Sequence, residues 1–210
     1  MPICHDKRVI FIHIPKTGGS AVTKAMGLDR ENPEHLSQNN YKDSIFFEDR
    51  WWLPLHLPAR AIKELYPEAY ENYHKFTVIR NPYYRLLSAY FDKVKLDCPY
   101  SIIFDNLNPD HFGEWVWSIK EGLIDNEHVR LQSDYFNLEE TEIIRYEYLK
   151  KAWKDFAPYY NFPVTLPRVN ESNLERPTSD YFSEIYTDTI KVIHKIYEKD
   201  FELLNYRPFL

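Results

Sequence analysis

Apolar and polar positions along the chain sort into short unbroken runs and helical stripes. Val9–Ile14 is a six-residue run, rich in Ile and broken only by His13, and it reads as a fully buried strand. Phe76–Ile79, ending at Arg80, reads as a second buried strand, and Thr141–Tyr146 is a third strand candidate. Between the runs, apolar residues recur at three- and four-residue spacing. One helix is expected from about Ser20 to Gly27, with the Ser20 side chain as its cap. Pro58 opens another through Ala61, Ile62, Leu65 and Tyr66. Asn81-Pro82 places a cap and a first-turn proline before Leu86, Leu87, Tyr90 and Val94. Further helices are expected around Trp115–Ile119 and through Leu149, Trp153 and Phe156. Phe182, Ile185, Tyr186, Ile193, Ile196, Tyr197 and Leu204 predict one long amphipathic helix closing the chain. Residues 29–57 read as an irregular, substrate-side insertion, and 97–111 and 158–178 as loops.

Strands alternating with helices imply an α/β fold, with a central parallel sheet covered on both faces as a three-layer sandwich. Ligands in such folds bind at the carboxyl ends of the strands. The 210 residues fit a single domain spanning 1–210, and a mix of 44% hydrophobic and 28% charged residues is that of a globular chain. The net charge of −6 argues against nucleic acid and heavily sulfated polymers as partners, although a local basic groove is compatible with it. Aromatic residues reach 17%. Trp51, Trp52, Trp115 and Trp117 suit stacking on a sugar or aromatic acceptor as well as they suit a core. Cys4 and Cys98 make no disulfide framework, and the eight histidines show no metal-ligand spacing, so no metal is expected. The short N-terminal run ends at Pro15-Lys16 and is no secretory signal, and no stretch approaches a membrane span. A soluble, cytoplasmic protein with no membrane partner is the expectation, and under it the sequon Asn170-Glu-Ser172 carries no glycan.

Chemistry concentrates where the first strand ends. Lys16-Thr17-Gly18-Gly19-Ser20 joins a cation to a tight glycine turn and a helix start, whose free N–H groups suit a phosphate-like anion. A structural turn beside a solvated lysine is the plain alternative. The nucleoside-triphosphate loop differs, with its lysine directly before Ser/Thr and after a glycine-bounded loop. Arg80, at the end of the second strand, offers a fork of donors for a second phosphate. On the following helix Arg85 and Ser88 share a face.

The stretch after His13-Ile-Pro resembles the 5′-phosphosulfate loop of sulfotransferases that use 3′-phosphoadenosine 5′-phosphosulfate (PAPS). Val78-Ile-Arg80-Asn-Pro-Tyr-Tyr-Arg85-Leu-Leu-Ser88-Ala-Tyr90 resembles the 3′-phosphate motif of the carbohydrate sulfotransferases, the group that includes heparan sulfate 2-O-sulfotransferase and its bacterial relatives. The order of His56, Tyr66-Pro67, Gln132-Ser133-Asp134-Tyr135, Asn170-x-Ser172 and the segment Asp200 to Tyr206 extends the likeness over most of the chain. The resemblance implies a P-loop NTPase-like sulfotransferase fold. It implies Lys16, Thr17, Gly18, Gly19 and Ser20 at the 5′-phosphosulfate, and Arg80 and Ser88 at the 3′-phosphate. PAPS is then the co-substrate, adenosine 3′,5′-bisphosphate the product, and the acceptor a hydroxyl of a carbohydrate or other small molecule. Lys16 would stabilise the leaving phosphate and His56 would be the general base, with His128 in reserve and His13 as core or support. Unlike the animal enzymes, the chain is expected to carry no membrane anchor or lumenal stem, and a Golgi glycan is then not the expected substrate. An ATP-using kinase and a non-catalytic nucleotide-binding module are the competing readings.

Overall fold

The computed structural model describes residues 3–28, 45–97, 108–169 and 178–209. The chain divides into two compact units, Met1–Arg80 with Asp134–Asn170, and Asn81–Ser133 with Glu171–Leu210. Cys98, residues 29–44 of the expected insertion and the Asn170–Ser172 motif fall outside the described residues.

The first unit carries a four-stranded sheet in the order β1 (Ile3–Cys4), β2 (Val9–Ile12), β5 (His74–Ile79), β6 (Glu142–Arg145). β2, β5 and β6 run parallel, with Phe11 opposite Phe76 and Ile79 opposite Arg145. β1 adds an antiparallel edge that the sequence reading missed, since two residues are too few to show a period. Every residue of β2 is buried on both faces, as its unbroken apolar run predicts. Thr77 is tolerated in the sheet interior because its hydroxyl donates to the Ile12 carbonyl at 2.7 Å. Alternate residues Val9 and Phe11, Phe76 and Val78, with Ile144, form one core with α1 (Gly19–Ala25) and α6 (Leu149–Phe156). Trp153 anchors α6 there, and its indole N–H donates to the Pro163 carbonyl at 2.9 Å.

The sequence places an irregular stretch before residue 57. The structure has instead a hairpin of β3 (Ile45–Phe47) and β4 (Arg50–Trp52). Its two turn residues, Glu48 and Asp49, have φ of 48° and 59°, the primed geometry that matches strand twist. Neither is the Asn-Gly or Asp-Gly signal by which such a turn is recognised. Helices α2 (Ala59–Leu65) and α3 (Pro67–Asn72) then lead into β5.

The second unit is helical: α4 (Pro82–Asp97), α5 (Pro109–Lys120), α7 (Thr187–Ile196) and α8 (Glu198–Leu203). Asn81 caps α4 as expected, its side-chain oxygen accepting from the Tyr83 amide at 3.0 Å. Asn108-Pro109 repeats the device, so α5 begins well before the Trp115–Ile119 stretch assigned from periodicity. α5 packs on α7.

The single long C-terminal helix is not formed. Residues 178–183 make a 3-10 turn, Tyr186 is extended, and α7 and α8 break at Tyr197. Tertiary polar contacts account for the break. The Tyr197 hydroxyl donates to the Val129 carbonyl at 2.6 Å. The Asp200 carboxylate accepts the amides of Gln132 at 2.8 Å and Ser133 at 2.9 Å. Burial pushes the Asp200 carboxyl up, while the Ser133 and Gln132 amides and the Arg85 charge pull it down. Among the described residues no helix is long and apolar enough to cross a membrane.

Candidate active site at the carboxyl ends of the parallel strands

Each of the three parallel strands is followed or closed by a cation: Lys16 in the loop after β2, Arg80 directly after β5, and Arg145 as the last residue of β6. A locally basic edge thus sits within a chain of net charge −6. Parallel sheets present ligand sites at this edge.

The Lys16–Ser20 loop is held in a strained and specific shape. Lys16 has a φ of 70°, a left-handed conformation that costs a residue with a side chain about 1–2 kcal/mol. Neighbours hold it there. Arg80 Nη1 donates to the Lys16 carbonyl at 3.2 Å, and the buried Thr17 hydroxyl donates to the Ile14 carbonyl at 2.8 Å. Strain of this kind gathers where a backbone must face a ligand. The Thr17 hydroxyl is spent on closing the turn, so the backbone amide is what Thr17 offers an anion.

Gly18 has a φ of 84° and is the residue before α1. A side chain there would be strained by its backbone and would meet Tyr146 Cε2 at 2.8 Å. Gly19 needs no left-handed freedom. It is glycine because a β-carbon would fall on the Cδ2–Nε2 edge of the His13 ring. Ser20 was expected to cap α1, but the helix begins at Gly19, Gly18 occupies the cap position, and no side-chain cap bond forms. Ser20 is already helical and partly exposed, along with Lys16 and Gly18.

Arg80 lies with its guanidinium 4.4 Å from the centroid of the Tyr146 ring. Tyr146 therefore braces the arginine and walls Gly18 at once. The sequence reading passed over Tyr146 and Arg145, although β6 closes on a cation and the other two strands are each followed by one. His56 closes a 3-10 turn, Pro54–His56, and is 8% exposed. Its ring meets that of His13 edge to face, with centroids 4.9 Å apart and planes at 87°. The base candidate is thus in contact with a residue that itself abuts the loop.

Ser88 and the reserve candidate His128 belong to the second unit. Ser88 is half-buried on α4, and His128 Nδ1 lies 3.7 Å from the Asp92 carboxylate. Arg85 has a structural role. It is 1% exposed and donates to the Arg130 carbonyl at 2.8 Å and the Glu127 carbonyl at 3.4 Å. Of the four tryptophans expected to stack on an acceptor or fill a core, Trp52 and Trp115 are buried. Trp51 is 61% exposed and tilts on exposed Phe46, with ring centroids 5.2 Å apart. Trp117 is exposed beneath Lys120.

A protein-family model described as "Sulfotransferase family" matches residues 1–207 of the chain. No curated protein and no solved structure gives a significant match.

Proposed function

The chain belongs to the sulfotransferase family, and from that membership we propose that it moves the sulfuryl group of PAPS onto a hydroxyl of a carbohydrate or another small acceptor. In this reading residues 1–210 act as one sulfotransferase domain of the three-layer, P-loop NTPase-like kind. The observation that carries the proposal is the loop after β2, in which a left-handed lysine, held through its carbonyl by Arg80 at the end of β5, precedes two adjacent glycines. A lysine and a run of loop amides suit a phosphosulfate, and the Arg80 guanidinium suits a second phosphate.

When bound, PAPS supplies a sulfuryl group on a phosphate leaving group. Lys16 and the amides of Thr17, Gly18, Gly19 and Ser20 would hold the 5′-phosphosulfate. Lys16 would then neutralise charge growing on the leaving oxygen. Arg80 and Ser88 would hold the 3′-phosphate, an assignment that rests on the sequence resemblance. His56 would take the proton from the acceptor hydroxyl, the work for which an imidazole suits neutral pH. Sulfuryl transfer, like phosphoryl transfer, rewards positioning and charge more than covalent help, and a loop held by fixed hydrogen bonds is suited to that. The exposed Phe46–Trp51 pair on the hairpin before His56 supports an acceptor with a flat face, such as a sugar ring.

The test is a transfer assay with sulfur-labelled PAPS against a panel of 4-nitrophenyl glycosides, phenols and oligosaccharides. Label is expected on a hydroxyl acceptor, with adenosine 3′,5′-bisphosphate released in equal amount. Label from the γ-phosphate of ATP appearing on those acceptors instead would overturn the reading in favour of a kinase.

A further inference from the structure

We propose that His13 is a positioning residue for transfer, one rigid ring that couples the Lys16–Ser20 loop to His56. The proposal rests on the reading of that loop as the phosphosulfate cradle and of His56 as the base. Four rings stand in series from the centre of the sheet. Phe76 stacks on Phe11 with centroids 4.9 Å apart and planes at 23°. Phe11 stacks on His13 at 5.2 Å and 20°. His13 then meets His56 edge to face at 4.9 Å. Strand alternation puts Phe11 and His13 on the same side of the chain, and Phe76 is the register partner of Phe11. The sheet therefore fixes the Phe76 and Phe11 rings, and His13 follows directly on the end of β2.

On its remaining edge the His13 ring fills the space a side chain at position 19 would need. The buried imidazole thus touches both parts of the machinery at once. Removing it frees the base, while the loop keeps its own bonds from Arg80 and Thr17. Edge-to-face ring pairs have a preferred geometry, so His13 restricts how His56 can tilt as well as where it lies. A six-membered ring at this position would press on Gly19, and an aliphatic side chain would give His56 no face to pack on.

Three variants test the coupling: His13→Ala, Gly19→Ala and the double variant. Binding of adenosine 3′,5′-bisphosphate is read by calorimetry and turnover by PAPS transfer to the best acceptor of the panel above. His13→Ala is expected to lower kcat roughly 10- to 100-fold, the usual cost of a misplaced catalytic group, while affinity for the bisphosphate stays within about threefold. Gly19→Ala should weaken bisphosphate binding by roughly tenfold or more, because the added methyl runs into the rigid His13 ring and the loop must shift away from it. The double variant should regain that affinity and still turn over as slowly as His13→Ala. A His13→Ala enzyme with wild-type kcat, or a double variant whose binding is not rescued, overturns the coupling. So does a parallel fall of kcat, affinity and melting temperature, which marks a packing residue. A wild type that transfers no sulfuryl group, or a fully active His56→Gln, would instead remove the functional reading itself and the coupling with it.

Discussion

Replacing His56 by Gln is expected to cut sulfuryl transfer by roughly 10²- to 10⁴-fold, the weight usually carried by a general base. Gln is the informative substitution because His56 is buried against His13, and Ala would leave a hole beside the loop. Adenosine 3′,5′-bisphosphate should bind His56→Gln as it binds the wild type, since no assigned cofactor contact is lost. A variant that keeps near wild-type turnover would move the base elsewhere, with His128 the next residue to replace. Loss of transfer together with bisphosphate binding and thermal stability would show His56 as a packing residue.

Lys16→Ala should lower kcat by roughly 10²- to 10³-fold, comparable to removing one donor from a preorganised oxyanion site. The substitution is clean in two respects. Ala is under the same backbone constraint as Lys at a φ of 70°, and the carbonyl that Arg80 grips is unchanged. What is lost is the charge at the end of the side chain. Because the leaving phosphate gains charge only as the bond to sulfur breaks, the loss should fall on kcat more than on KM for PAPS. A raised KM with kcat intact would make Lys16 a binding residue and give the leaving-group role to the loop amides.

The buried strands and the glycine turn were legible in the sequence and the tertiary contacts were not, for physical reasons that individual residues show. Val9–Ile12 and Phe76–Ile79 are buried on both faces, so their strands announce themselves as unbroken apolar runs. Asn81-Pro82 declared the start of α4 through local capping chemistry that needs no tertiary help. The same chemistry at Asn108-Pro109 went unread, because the apolar stripe of α5 draws attention to its second half. The break at Tyr197 was invisible, since it is made by contacts to Val129, Gln132 and Ser133 more than sixty residues away in sequence. The glycines divide in the same way. Gly18 could be foreseen as a left-handed turn residue, whereas Gly19 is required by the ring of His13, and only the folded structure brings the two together. Arg80 was found as a strand-end cation, but its bond to the Lys16 carbonyl, which ties it to the loop, is a tertiary fact.

The central claim is that this loop and Arg80 serve a nucleotide bearing a 5′-phosphosulfate and a 3′-phosphate. A calorimetric titration of the full chain with adenosine 3′,5′-bisphosphate and, separately, with ATP tests it most directly. The account predicts that the bisphosphate binds much more tightly than ATP, with or without magnesium. ATP binding as tight as or tighter than the bisphosphate would contradict it.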